Sequence, residues 1–399
     1  MLQHLLLTAL NLFFQRYKFR VMVNGNVYTI FIFMLITAIT AEGQGQQKAI
    51  DWSVAFSLPK SDGSKALAIA GPIVGVNKQL LFIGGGANFP EKLPWQGGEK
   101  LYHRTIYVYR KSAGGEELVF SSELPFALAY GANCNTPKGV VAAGGENEQG
   151  LSNKVLLLSY SKKETSLKIT DLPSLPFAVT NASLVYLDNK LYLAGGERQK
   201  DVSDKLLMLD MEQLDQGWII QDKLPYPVSH TCFVAMDKAL YLLGGRKRND
   251  GKVSDFYQQV WEYLPMSKQW LAKKPLPEAL SAGTALGMGG NTIWLFSGDN
   301  GATFKQVEAL MAEISREQDA DKKLVLIERK NALQVAHPGF GKKVWMYDGA
   351  RDTWSRQADL PVDAPVTTTA TLWGGQIYIP SGEVKAGIRS SLVLKGELK

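Results

Sequence analysis

Six times along the chain, a short apolar run of β-type residues ends in Gly-Gly or Ser-Gly. The runs are LLFIGGG ending at Gly86, VVAAGG at Gly145, LYLAGG at Gly196, LYLLGG at Gly245, IWLFSG at Gly298 and IYIPSG at Gly382. The intervals between them are 59, 51, 49, 53 and 84 residues. The rest of a unit recurs in phase. A second apolar run follows each pair, such as IYVY at 106–109 or VWMY at 344–347, and then a Leu-Pro corner, as at Leu124-Pro125 and Leu360-Pro361. A small-residue stretch such as AYGAN or SHTCF leads back to the next apolar run.

Short strands with a period near 50 residues predict an all-β fold, a six-bladed β-propeller of the kelch type. Innermost strands crowd the axis, which suits Gly, Ala, Ser and Thr. The glycine pair allows close backbone approach where the second strand ends. Trp261, Trp270, Trp294, Trp345 and Trp354 fill the wider space between the outer parts of blades. DWSVAFSLP at 51–59 reads as an outer strand with its corner, whereas the C-terminal SLVLK has no fourth strand after it. The N-terminal strand is therefore expected to complete the C-terminal blade, sealing a ring that spans residues 48–399 and has no frayed edge.

The longest interval contains a charged, helix-favouring segment, 304–336. Val307, Leu310, Met311 and Ile314 recur in it at near-helical spacing. It predicts a helical insertion between the second and third strands of one blade. Loops at that level lie at one mouth of the ring, so the insertion is a candidate wall or lid. Ahead of the repeats, IFIFMLITAI at 30–39 follows Arg16, Lys18 and Arg20 and precedes Ala41 and Gly43. That is the layout of a secretory signal, assigned to residues 1–43 with Met22 as an alternative start, and the expected location is exported, in the periplasm. The run is shorter than the ~18 residues of a spanning helix, so no stable membrane span is expected.

Composition narrows the chemistry. Two Cys cannot build a disulfide framework, and four His leave little for a zinc or copper site, so neither metal nor cofactor is expected. Cys134 and Cys232 fall on innermost strands two blades apart and are expected as unpaired, buried thiols. The formal net charge is +6, and the densest basic cluster is only Arg246-Lys247-Arg248, so no nucleic-acid partner is expected. The sequence carries no signal for an oligomeric state.

The loops after the glycine pairs should converge on one mouth. They carry Asn88, Glu146, Glu197 with Arg198, Arg246, Asp299 with Asn300, and the run 383–389. This mix of acid, base and amide suits a polar small molecule, although each residue alone also reads as a solvated turn residue. Two motifs stand above that background. One is Gly85-Gly86-Ala87-Asn88-Phe89-Pro90, followed by Trp95, Gly97-Gly98 and Tyr102-His103; the other is the GEVKAGIR run from Gly382 to Arg389.

With these motifs the sequence resembles the bacterial N-acetylneuraminate epimerases (sialic acid mutarotases), and more closely their cyclically permuted branch. The resemblance covers the whole six-repeat region, insertion included. It implies that Glu383 is the proton acceptor and Arg389 its partner, with Ala386 standing where the family often has Pro. It implies a small-molecule sugar acid as substrate, whose anomers interconvert by ring opening. A carboxylate serves such chemistry as general base. An Arg can clamp the substrate carboxylate, with Arg389 the first choice and Arg246 or Arg198 in reserve. Asn88, Tyr102 and His103 are expected contacts to the N-acetyl or glycerol groups, and Asn300 a further rim contact.

Two other readings remain. Residues 297–304 fit the S-x-D-x-G-x-T-F box of sialidases, but the box occurs once and directly after a second strand. A non-catalytic, exported binding module is the other, since fold alone does not determine function.

Overall fold

The computed structural model describes residues 50–59 and 66–399, and the leader assigned to 1–43 lies outside them. The described chain forms six antiparallel sheets arranged as the blades of a propeller, each with four strands in order and the first with the short Leu101–Tyr102 added beside its second strand. Blade 1 consists of Ala70–Asn77, Leu80–Asn88, Thr105–Ser112 and Gly115–Glu123, ordered from the axis outward. Blades 2 to 5 repeat that order at 132–172, 183–223, 232–273 and 284–356. Blade 6 takes three strands from the C-terminus and its outermost from Ile50–Ser57, which pairs with Leu392–Leu398 from Ile50↔Leu398 to Ser57↔Leu392. The ring closes as the repeat pattern predicts. No helix among the described residues is long and apolar enough to cross a membrane.

The sequence pattern follows from where each strand sits. Second strands are covered on both faces and so read as continuous apolar runs; all five residues of Ala239–Leu243 are buried. The corner leucines Leu58, Leu124, Leu224, Leu276 and Leu360 are each buried. The glycine pairs are needed at the seams between blades. Gly195 has φ +65°, and a Cβ there would lie 2.0 Å from the Val228 carbonyl oxygen of the next blade. Where serine takes the first place, Ser381 keeps the same backbone at φ +53°. Its hydroxyl then works as a link, accepting from the Ile69 N–H at 3.0 Å. Among the tryptophans, Trp294 is fully buried, while Trp261, Trp270, Trp345 and Trp354 are half-buried against the clusters between blades.

At the axis, one residue per blade forms a closed ring: Gly71, Tyr130, Asn181, His230, Ala282 and Thr367. All six have φ between +51° and +65°. Each N–H donates to the carbonyl of its counterpart in the preceding blade, from Tyr130 to Gly71 at 2.9 Å round to Gly71 to Thr367 at 2.7 Å. A left-handed backbone costs a residue with a side chain about 1–2 kcal/mol. The ring bond at each of these positions joins two blades and offsets that cost.

The insertion is a pair of helices, α1 (Ala302–Arg316) and α2 (Ala320–Val335), between the second and third strands of blade 5. Asp299 and Asn300 side chains accept from the N–H groups of Gly301 and Ala302, and Asp319 caps α2. The sialidase-like box is thus the turn that starts α1. Leu310 is buried, but Met311 is 56% exposed, because neither of the two neighbours of α1 covers that position. Those neighbours are α2 and the blade 4 hairpin Arg246–Asn249/Lys252–Phe256. Phe304 meets Phe256 edge-on at 5.8 Å, and Glu308 accepts from the Ser254 N–H and hydroxyl, both at 2.7 Å.

Both cysteines are free. Cys232 is buried as expected. Cys134 is only half-buried, because it sits at the edge of the cluster between blades 2 and 3 rather than within it.

Candidate functional site

Just past each glycine pair, the chain runs beside the head of its own innermost strand and pairs with it through a single bridge. The pairs are Ala129↔Glu146, Thr180↔Glu197, Ser229↔Arg246, Ser281↔Asp299 and Val366↔Glu383, with Ala70↔Ala87 as the blade 1 counterpart. Repetition of the backbone therefore delivers one rim side chain per blade to the same level: Ala87, Glu146, Glu197, Arg246, Asp299 and Glu383. Beneath them lies an axial cavity of about 130 Å³ lined by the ring residues and the polar heads of the innermost strands.

Glu383 and Arg389 face each other across the short hairpin Glu383–Lys385/Ile388–Arg389. The Glu383 carboxylate accepts from the Gly387 N–H at 2.6 Å, and its other oxygen lies 3.9 Å from Arg389 Nη2. Burial pushes this carboxyl above its ordinary 4.5, and the Arg389 charge and the Gly387 bond only partly counter that. Arg389 is 6% exposed and stacks 4.7 Å above the Phe89 ring. Its Nη1 donates to the Gly387 carbonyl at 2.7 Å, while Nε is buried without a partner. A buried guanidinium N–H left unpaired is costly, and a ligand is one way to satisfy it. The two sequence motifs are packed together here, since Gly387 rests against Pro94 and Trp95 of the other loop.

A second group adjoins it. The Tyr130 phenol interacts with Arg389, Lys100 and Glu383, and Lys100 Nζ lies 5.1 Å from the Tyr130 ring centroid. Glu146 accepts from Lys100 at 3.0 Å and from the Tyr102 hydroxyl at 2.8 Å. Burial alone would lower the Lys100 pKa, but Tyr130 and Glu146 outweigh it and raise it. Burial and the bond to Glu146 push Tyr102 up to about 12. His103 pairs with Asn88 at 3.0 Å, and burial lowers its pKa.

Further round the rim, Glu197 gathers three partners: Arg246 at 3.2 Å, the Ser229 hydroxyl at 3.1 Å and His230 Nδ1 at 3.6 Å. Burial, with the Arg246 charge, drives His230 down to about 3, so it is neutral. Burial opposes the Glu197 charge, but its partners, Arg246 chief among those charged at neutral pH, hold its pKa below 4.5. Arg246 also stacks on Phe304 of α1 at 4.4 Å. On blade 5, burial raises the Asp299 carboxyl despite the Gly301 N–H, and burial lowers His337, which lies after α2. Asp299 interacts with Arg246 and with Glu383, so charge runs continuously from blade 4 to blade 6.

Of the residues singled out in the sequence, Glu383, Arg389, Tyr102 and Arg246 all lie in this connected rim, with Asn88 and His103 paired beside Phe89. Arg198 instead pairs with Asp201 at 3.3 Å and stacks on Phe177. Asn300 is exposed and caps α1. Sequence reasoning missed Tyr130, Lys100, His230 and His337. A signal for Tyr130 was present: it is the one aromatic in AYGAN, a stretch otherwise made of small residues.

The fold and the mouth define a kelch-type six-bladed propeller with a charged, half-enclosed site at one end of its axis. A family profile for N-acetylneuraminate epimerase matches residues 172–399, and the chain belongs to that family. An N-acetylneuraminate epimerase from Haemophilus influenzae (strain 86-028NP) is 27% identical over 158 residues, 37% of this chain and 40% of that protein. One from Vibrio vulnificus (strain YJ016) is 30% identical over 125 residues, 29% of this chain and 32% of the relative. The alignments thus span well under half the length of these curated relatives. A solved structure titled "Structure of YjhT" superposes with a TM-score of 0.59 at 14% identity, covering 86% of this chain and 96% of that one, and supports the fold.

Proposed function

We propose that the protein is a mutarotase that interconverts the α and β anomers of N-acetylneuraminate or a closely related acidic sugar. The observation that carries this reading is the Glu383–Arg389 hairpin: a carboxyl destabilised as an anion by burial, beside a buried guanidinium with an unpaired Nε–H. Such a carboxyl holds its proton more tightly than an exposed one and is the stronger base once ionised. In this reading Glu383 takes the proton of the anomeric hydroxyl as the ring carbon–oxygen bond breaks. The open-chain ketone turns its other face, the ring recloses, and Glu383 returns the proton. A substrate carboxylate lies against the Arg389 guanidinium; Arg246 is the reserve, although Glu197 already holds part of it.

The supporting facts are the family match, the hairpin and the adjoining polar groups. The leader pattern at 30–39 supports an exported location, which cell fractionation tests. Saturation-transfer NMR on N-acetylneuraminate anomers tests the activity. The expected result is anomer exchange faster than the buffer rate and proportional to protein concentration. Binding without accelerated exchange at any pH would indicate a non-catalytic module instead.

A further inference from the structure

Ring opening requires two proton movements at two different oxygens. One proton leaves the anomeric hydroxyl and another reaches the ring oxygen. Glu383 accounts for the first. We propose that the Tyr130 phenol is the second proton carrier, a catalytic residue acting on the ring oxygen opposite Glu383. This rests on the mutarotase reading above.

Position supports it first. Tyr130 belongs to the axial ring, its N–H donating to Gly71 and its carbonyl accepting from Asn181. Its backbone is held at φ +57°, an uncommon conformation for an aromatic residue. Among the six ring residues only Tyr130 and His230 have titratable side chains. His230 instead belongs to the Glu197 group, its Nδ1 engaged by Ser229, at 3.1 Å, and by Arg246, at 3.4 Å. The Tyr130 ring packs against Gly71, which bonds to Thr367 next to the Val366↔Glu383 bridge, and Lys100 Nζ lies 5.1 Å from the ring centroid, so phenol and carboxyl face the same part of the mouth.

The surroundings fit a proton donor. A phenolate formed during the reaction would feel the charges of both Arg389 and Lys100, and two cations stabilise that transient charge. Burial raises the phenol's pKa, which those cations only partly offset, so the resting group keeps its proton. Lys100 is a weaker candidate for the donor, because Glu146 holds its ammonium at 3.0 Å.

The step balances without a co-reactant. Glu383 takes the anomeric O–H proton, and that oxygen's electron pair forms the ketone as the ring carbon–oxygen bond breaks. The pair from the broken bond stays on the ring oxygen, which takes the Tyr130 proton. On closure the sugar hydroxyl attacks the other carbonyl face and returns its proton to the phenolate. The former carbonyl oxygen recovers a proton from Glu383.

The test is Tyr130→Phe in the full chain, with thermal melting as a check that the ring still forms. The expected result is a fall in kcat of about 100-fold or more with KM within about threefold. A kcat within about threefold of wild type, or a loss confined to KM, overturns the proposal. A second measurement serves if Tyr130→Phe misfolds: replacement of Tyr130 by a trifluorotyrosine, whose phenol is more acidic. The wild-type rate is expected to stay level between about pH 7 and 9, while the fluorinated protein loses activity as pH rises through that range. A fluorinated protein with the wild-type profile also overturns it. Failure of wild type to accelerate exchange removes the mutarotase reading and this role together, whereas an active wild type with an equally active Tyr130→Phe removes only the role.

Discussion

Replacing Glu383 by Gln separates what the carboxylate contributes to catalysis from what it costs the fold. The substitution keeps volume and leaves an oxygen to accept from the Gly387 N–H. It removes the charge facing Arg389 Nη2 at 3.9 Å. With an effective dielectric near 20, the gross attraction lost is about 4 kcal/mol. Yet the Glu383 pKa stands above 4.5, so desolvation of the anion outweighs that attraction and the hydrogen bond together. The folded state therefore holds this proton more tightly than the unfolded chain does. Between about pH 4.5 and the raised folded value, wild-type stability falls as pH rises, by about 1.4 kcal/mol for each pH unit of that window. Glutamine has no proton to lose. Melting curves of the two proteins are expected to coincide near about pH 4 and diverge in favour of Glu383→Gln through the window, with a constant gap above it. Anomer exchange is expected to drop about 100-fold or more, a barrier increase of about 2.7 kcal/mol. A variant less stable than wild type at neutral pH would refute the reasoning, because the ion pair would then dominate. A fully active variant would remove Glu383 from the mechanism.

Three further outcomes follow from the same structure. Glu308→Ala removes both acceptors that hold α1 to Ser254 and is expected to weaken that docking by about 2 kcal/mol; hydrogen exchange in residues 302–316 should quicken about 30-fold while the blade strands stay protected. Ile50→Ala, in the closing strand and 6% exposed against Phe296 and Leu394, is expected to cost about 2–5 kcal/mol in chemical denaturation; a cost under about 0.5 kcal/mol would show that this strand does not seal the ring. Cys232, buried and with its thiol pushed up to about 12, should react with a thiol reagent only after unfolding. Mass spectrometry of labelled native protein checks this.

The fold was legible because each blade repeats one physical problem. A second strand covered on both faces must be apolar, and a seam where a Cβ has no room must be glycine. Six solutions to that problem, spaced about 50 residues apart, announce a ring. Glu383 and Arg389 were legible through a local motif on one hairpin. Lys100 was not, and Tyr130 stood out only as an aromatic among small residues, because they reach Glu383 from blades 1 and 2 and nothing in the linear order records which rim positions become neighbours. Met311 misled for a related reason: helical spacing identifies an apolar stripe but not how much of it a neighbour covers.

The axial ring sets how the mouth acquires its polarity. Its six N–H···O=C bonds run in one rotational sense around the axis, so their dipoles cancel around the circle. Unlike a helix terminus, this floor projects no field of its own toward a ligand. Attraction for an anion must therefore come from side chains at the rim. The ring constrains only the backbone beneath them, so Ala87, Glu146, Glu197, Arg246, Asp299 and Glu383 occupy six sockets of one shape. A change of letter in any socket alters the charge offered to a ligand while the scaffold stays as it is, and a lineage can change the ligand it favours without reopening the ring.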